Sequence, residues 1–420
     1  MTHSAITPVT RLMDGSPLRR RRSALIIISV LLGIFVFAFV QLVGLLTRFR
    51  PDAAWVFLMA LAIAAVLSVA PVSILWYLDR RERESVWAIA TALIWGGIIA
   101  TGLSAPINTY ILTEIGGWVA QNPLVQETLG ADAALLIGAP IAGPLVEETI
   151  KGLGILALLI FFNAEFDNMR DGFIYGALVG IGFNWLESAH YIASSYAEFG
   201  IAPWGLQFGA RFSLFGMAGH TLYSGLLGAF LGLALQSTRS WVRFIAPAIG
   251  WLLAVLAHAL NNSLGLLFAL AASAQGIAPS DEPIPPPQLG FLDVWFQKSL
   301  FDLILFLPFF VLILFLLWRS GIWERRVIRE ELLEEVGGAV TPEEYEAIRS
   351  DRPLNHHEIG RGQRRIARDL VWAQNELAFR KRRVRLAGEN PETDDLVRGW
   401  RQETVRLRGM LPGSDQTSFT

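Results

Sequence analysis

The 420-residue sequence contains no cysteine, which excludes thiol nucleophiles, disulfide staples and Cys-ligated metal together. Any metal must use histidine and carboxylate. Charge is also scarce: 17% of residues are charged against 53% hydrophobic and 11% aromatic, too apolar for an ordinary soluble domain. The formal net charge of -2 is uninformative, because the charges crowd the N-terminus, two short loops and the last hundred residues. Nothing in them points to a nucleic-acid partner. Missing too are a His-Glu-x-x-His zinc helix, a Gly-x-Ser-Gly serine motif and a Gly-x-Gly-Asp aspartyl motif.

What is present is a series of long apolar runs, which predict an all-α polytopic membrane protein of about eight transmembrane helices with a cytoplasmic helical C-terminal tail. The first run, 24–46, follows Arg19, Arg20, Arg21 and Arg22, a basic cluster that favours the cytoplasmic side and closes a short N-terminal segment, residues 1–23. It is long enough to act as an anchor rather than a cleaved signal. Further spans are expected at 55–78, 86–103, 133–162, 171–196, 212–235, 244–271 and 296–318. Residues 105–132 are expected to form an external loop with an interfacial helix, and the proline-rich 278–287 an external linker. Eight crossings place both termini in the cytoplasm of a cell with the protein in its plasma membrane. Arg80, Arg81, Arg83, Arg170, Arg239 and Arg243 on the inner loops outnumber the external Arg48, Arg50, Arg211 and Lys298.

The membrane region thus covers 24–318, and from Arg319 to Thr420 the chain carries 19 Lys/Arg and 18 Asp/Glu. In this tail Thr341-Pro342-Glu343-Glu344 has the form of a capping box. Ile366, Leu370, Ala373, Leu377 and Val384 recur at helical spacing, and a second helix is expected near Asn390-Pro391. A small helical hairpin, packed on itself or on the membrane face, accounts for this pattern. Its basic residues could touch anionic lipid.

The fourth run poses the chemical problem. It holds Glu147, Glu148 and Lys151 near its middle, and three charges at the centre of a bilayer cost on the order of 10 kcal/mol unless they pair or neutralise. On a helix Lys151 lies about 40° from Glu147 and about 60° from Glu148, so it can pair with either. The adjacent glutamates point about 100° apart, so one should face a cavity while neighbours hold the other. Pro140 and Pro144 should bend or widen the helix just before them. Later runs add Glu187 with His190 one turn on, His220 with Tyr223 and Ser224, and His258 with Asn262 on one face beside Asn261. Gly172, Gly176 and Gly180 form a small-residue face for close helix approach, and Asp171 suits a helix start.

Two classes of function fit such a pocket. In hydrolysis, a buried carboxylate acts as general base on water while His and Asn donate to the developing oxyanion. A metal-dependent variant uses two histidines and one glutamate, a ligand set of several zinc sites, with the other glutamate as base. The rival is a proton- or ion-coupled transporter using the same Glu/His cluster. A structural ion cluster joining helices is the bland alternative.

Glu147-Glu148-Thr149-Ile150-Lys151, Phe183-Asn184-Trp185-Leu186-Glu187, the lone His220 and His258-Ala259-Leu260-Asn261-Asn262 together resemble the four-motif pattern of the PrsW family of intramembrane proteases. Asp171-Gly172-x-x-Tyr175-Gly176 and Gly180-x-Gly182-Phe183 strengthen the match, which covers 139–266. The motif order is similar to that of the CAAX prenyl proteases, except that Glu187 stands where their second motif ends in His and Lys151 replaces a more distant Arg. The resemblance implies hydrolysis of a peptide bond in a membrane-anchored protein, with an anti-sigma factor as the type of substrate and the lipid bilayer as the medium. Carried over, Glu147 or Glu148 activates water, Glu187 and His220 complete the water or metal site, and His258 and Asn262 stabilise the oxyanion. Lys151 supports one glutamate. A metal such as zinc would draw on Glu187, His220 and His258.

Overall fold

The computed structural model describes residues 16–47, 50–79, 84–162, 166, 168–280, 282–350 and 361–411. Residues 1–15, Arg48, Arg80, Arg81, Arg83 and most of the 163–167 loop, on which part of the topology argument rests, lie outside the described residues. The described chain is helical, with one isolated bridge between Val336 and Val340. Its described residues divide into two compact units, one within 16–77 and 84–316 and the other within 78–79, 317–350 and 361–411.

Seven helices among the described residues are long and apolar enough to cross a membrane. Helices α1 (Arg21–Leu46) and α2 (Pro51–Leu78) take the first two expected spans. The third, α3, runs without interruption over Val86–Ala120, with a π-helical turn at Trp95–Ala100. The expected external loop from 105 is therefore replaced, as far as 120, by continuing helix. Pro106 did not end it, and Ser104 and Thr109 bond back to carbonyls of the preceding turn.

The expected fourth span is broken rather than bent. After α4 (Pro123–Leu129), α5 (Ala133–Gly138) ends before Ala139, and α6 (Ala142–Phe161) begins with Pro144 in its first turn, where a missing N–H is harmless. Helix α7 (Met169–Phe199) occupies the place of the fifth span but is not one of the seven. Its 31 residues are long enough to cross, at about 46 Å, yet they include Asn184, Glu187, Ser188 and His190. It starts with a capping box in which Asn168 is the cap and Asp171 the reciprocal partner.

Helices α8 (Trp204–Arg211), α9 (His220–Gln236) and α10 (Ser240–Ala274) follow. The expected last span begins earlier than read and is split at Phe306 into α11 (Phe291–Leu305) and α12 (Leu307–Leu333).

Helices α7 and α9 form the buried centre because glycine lets their backbones touch. A Cβ on Gly172, Gly176 or Gly180 would lie 2.1–2.2 Å from the carbonyl oxygens of Gly228, Ser224 and His220 respectively. On the other side of α7, a Cβ on Gly96 of α3 would lie 1.9 Å from the carbonyl oxygen of Val179. The small-residue face read from the sequence is thus what brings the backbone of His220 against α7.

The other unit contains α13 (Pro342–Arg349), α14 (Arg361–Leu386) and α15 (Asp395–Arg408). Leu370, Ala373 and Leu377 pack against Val397, Trp400 and Leu407, and Thr341 and Glu344 close the expected capping box. Lys381 is buried on the Glu331 carbonyl at 2.8 Å and Glu335 at 2.6 Å, while Arg401 joins Glu335 to Glu392. These basic side chains are engaged by acids of their own unit.

Candidate active site

The 100° between successive helical residues separates the two glutamates as their adjacency requires. Glu148 is fully buried and has both oxygens engaged. Its Oε1 accepts from Lys151 Nζ at 2.6 Å and lies 2.9 Å from His258 Nδ1, and its Oε2 accepts from Ser224 Oγ at 3.1 Å. Glu147 lines a cavity of about 300 Å³. One of its oxygens accepts from Asn108 Nδ2 at 3.0 Å, and the other, Oε2, has no hydrogen bond among the described residues. Lys151 Nζ lies 3.7 Å from that oxygen, 3.0 Å from His220 Nδ1 and 4.0 Å from the centre of the Phe183 ring. The ammonium is therefore the cation shared by both glutamates, and the aromatic face takes part of its desolvation cost.

Glu187 is brought to the same cavity by α7 and is held from two sides. Arg211 Nη1 reaches its Oε2 at 2.7 Å and His220 Nε2 reaches the same oxygen at 2.8 Å. Arg211 is the last residue of α8 and His220 the first of α9. The link between them contains Leu214 and Phe215 in the left-handed region, at φ 49° and 57°, a costly conformation for side-chain-bearing residues. Helix α11 holds this turn: Ser299 Oγ accepts from the Leu214 N–H at 2.9 Å, Asp302 accepts from Ser213 Oγ at 2.6 Å, and Trp295 donates to the Phe212 carbonyl at 2.9 Å.

These contacts constrain the imidazoles. Lys151 can only donate, so His220 Nδ1 accepts and its Nε2–H points at Glu187. His258 gives Nδ1 to Glu148, and its Nε2 is 4.0 Å from Glu147 Oε2. A carboxylate behind one imidazole nitrogen is the arrangement that orients the other toward a metal or substrate. Asn262, one turn beyond His258, donates to the Ala139 carbonyl at 3.1 Å. That carbonyl lies in the break between α5 and α6, so the amide ties α10 to the segment that presents Glu147.

Residues 84–280 match the model of the PrsW family intramembrane metalloproteases. That segment belongs to the PrsW family. It is also similar to the protease PrsW of Geobacillus kaustophilus, at 26% identity over 43% of this chain and 70% of that protein. The protease PrsW of Oceanobacillus iheyensis is 25% identical over 44% of this chain and 74% of its own length. No solved structure matches. The protein is a multi-pass membrane peptidase, and the segment matched to the PrsW family contains every residue singled out from the sequence as catalytic.

Glu147, Glu148, His220 and His258 each offer a ligand atom within 4.8 Å of the others. Nitrogen and carboxylate donors of this kind suit zinc and related borderline metals, and the unbonded, buried Glu147 Oε2 is the atom a cation would satisfy. The donors of this cavity therefore fit a metal. Glu187, expected to form a ligand trio with the two histidines, is not in this group; its carboxylate is turned to Arg211 and His220.

The cavity also includes residues that sequence spacing did not reveal. Asn108 comes from a helix read as loop, and Arg211 was read only as an external charge. Lys298 and Asp302, an ion pair on α11 beyond the matched segment, line the cavity too, with Lys298 also 3.2 Å from Asn261 Oδ1. An isolated Arg or Lys beside an apolar run looks the same whether it faces lipid headgroups or a buried carboxylate. His190 is not among the cavity residues; its ring tilts against Tyr191.

Proposed function

We propose that the cavity hydrolyses a peptide bond of a membrane-anchored protein, an anti-sigma factor being the type of substrate, and that Glu147 is the residue that activates water. The observation that supports this is the asymmetry of the glutamates: Glu148 is saturated by Lys151, His258 and Ser224, whereas Glu147 lines the cavity with Oε2 unbonded. A general base must have an oxygen available to the proton it removes. Glu147 takes the proton of the attacking water and passes it to the leaving amine. Glu148 orients His258 and balances Lys151, and Glu187 with Arg211 fixes His220.

A metal in the site would draw on the group Glu147, Glu148, His220 and His258, displacing present contacts of Glu148 and His220, and would polarise the scissile carbonyl and acidify the water. Asn262 acts by holding the α5–α6 break in place, beside an amide hydrogen still available to substrate. Counting α7 with the seven apolar helices gives eight crossings, and that parity together with the arginine bias of the sequence supports a plasma-membrane protein with cytoplasmic termini and a cytoplasmic tail over 319–420.

The test is cleavage of a single-span substrate in reconstituted vesicles by the wild type, Glu147→Gln and Glu148→Gln, with dye flux followed in parallel. Loss of product in the Glu147 variant is expected, by a factor of about 10² to 10⁴. Full activity in both variants, or an ion gradient dissipated without any peptide product, would refute it.

A further inference from the structure

Hydrolysis of an amide places negative charge on the carbonyl oxygen, and the donors aimed at that oxygen supply much of the rate. In this cavity most polar groups are already engaged. Asn262 Nδ2 gives one of its two hydrogens to Ala139, His258 gives Nδ1 but not Nε2 to Glu148, Arg211 is on Glu187 and Gln207, and Lys298 is on Asp302 and Asn261. Tyr223 differs. Its side chain is 1% exposed and lines the cavity, yet its hydroxyl has no hydrogen-bond partner among the described residues.

A buried hydroxyl without a partner carries a desolvation cost that a phenylalanine would avoid. The ring itself is well held. It stacks on His258 with centroids 5.0 Å apart and planes 17° from parallel, and it meets Phe306 edge-on at 5.8 Å. Phenylalanine would keep both ring contacts. The hydroxyl is therefore unexplained by packing, and it belongs to the same cavity as Glu147 Oε2, the unbonded acceptor. One group lacks a proton to receive, the other lacks an acceptor to donate to. Hydrolysis requires both.

We infer that Tyr223 is a catalytic residue whose hydroxyl donates a hydrogen bond to the substrate's carbonyl oxygen as it becomes the oxyanion. This rests on the hydrolytic reading above. Water oxygen bonds to the carbonyl carbon, its proton goes to Glu147, and the carbonyl π pair moves onto the oxygen that Tyr223 bonds. The pair then returns, the C–N bond breaks, and the amine leaves with the proton from Glu147. Tyr223 keeps its own proton throughout.

The experiment compares the full-length wild type, Tyr223→Phe and Glu147→Gln in vesicles. The probe is a synthetic single-span peptide, cleaved by the wild type, with a fluorophore and a quencher on opposite sides of the scissile bond. Tyr223→Phe is expected to lower kcat by about 10²- to 10³-fold with KM within about threefold, and to melt at or above the wild-type temperature because no hydrogen bond is lost. A kcat within twofold of wild type overturns the assignment, as does a lowered melting temperature that accounts for the loss. If Glu147→Gln is inactive while Tyr223→Phe is active, only the role of Tyr223 fails. If Glu147→Gln cleaves like the wild type, the water-activating role of Glu147 fails instead, whatever Tyr223→Phe does.

Discussion

Replacing Lys151 by Met removes the cation on which both glutamates depend, at nearly constant side-chain length. The ammonium is 2.6 Å from Glu148 Oε1 and 3.7 Å from Glu147 Oε2, with no exposed surface. At an effective dielectric constant of about 20 the closer pair alone attracts by about 6 kcal/mol, and the desolvation of both charges offsets part of this. Breaking a buried pair by removing one partner costs about 3–5 kcal/mol, because the remaining charge is left without compensation. Glu148 would keep His258 and Ser224 but no full positive charge.

If orphaned charge is the cause, neutralising Glu148 as well should recover part of the loss. In a double-mutant cycle of Lys151→Met and Glu148→Gln, the double variant should be about 2–3 kcal/mol more stable than the sum of the single losses predicts. The assay is reversible unfolding in mixed micelles followed by tryptophan fluorescence, with peptidase activity measured on the same samples. All three variants should be inactive, since His258 and His220 lose their orienting partners. Additivity within about 0.5 kcal/mol would refute the claim that Lys151 and Glu148 act as one unit.

Three further outcomes follow from separate parts of the structure. Gly180→Ala should destabilise by about 1–3 kcal/mol or more and reduce activity in the same melting and cleavage assays, because its Cβ would meet the His220 carbonyl oxygen at 2.1 Å and push α9 off α7. Tail stability should fall with acidification. Burial pushes the carboxyls of Glu335 and Asp394 up, but hydrogen bonds from Arg401 and Lys381 to the first, and from Arg380 and the Val397 N–H to the second, outweigh it and hold both below their ordinary values of 4.5 and 3.8. Both groups take up protons at higher pH when unfolded than when folded. Their contribution is therefore complete above about pH 5 and is lost as pH falls through the folded values, a loss readable as reduced hydrogen-exchange protection of α14 and α15 after correction for intrinsic rates. For the metal, elemental analysis of protein purified with added zinc should show His258→Ala holding about tenfold less than wild type or lower; equal content would remove His258 from the donor set.

The parts of this molecule legible in the sequence were those governed by short-range periodicity and by the cost of charge in an apolar run. Glu147, Glu148, His220 and His258 were found because a carboxylate or imidazole within a span has few structural explanations. The glycine face of α7 was visible because four-residue spacing maps directly onto one helix side. The Ala139–Ile141 break and the helical 105–120 segment were misread for a common reason: proline and polar residues change the backbone according to what surrounds them. Pro106 was absorbed inside a helix, whereas Pro140 fell in a true interruption and Pro144 in the first turn of the next helix. Asn108, Arg211, Lys298 and Asp302 were not found because each reaches the cavity through tertiary packing from outside the four motifs. What distinguishes the surroundings of Glu147 from those of Glu148 is the placement of Ser224, Asn108 and His258, which no spacing along the chain contains.

The most direct test of the central claim is the origin of the oxygen in the product. Cleavage of a single-span peptide by vesicle-reconstituted protein in ¹⁸O-labelled water should place one ¹⁸O in the new carboxyl terminus during a single turnover, and Glu147→Gln should reduce the labelled product by about 10²-fold or more. Labelled product from Glu147→Gln at the wild-type rate would contradict the assignment of water activation to Glu147.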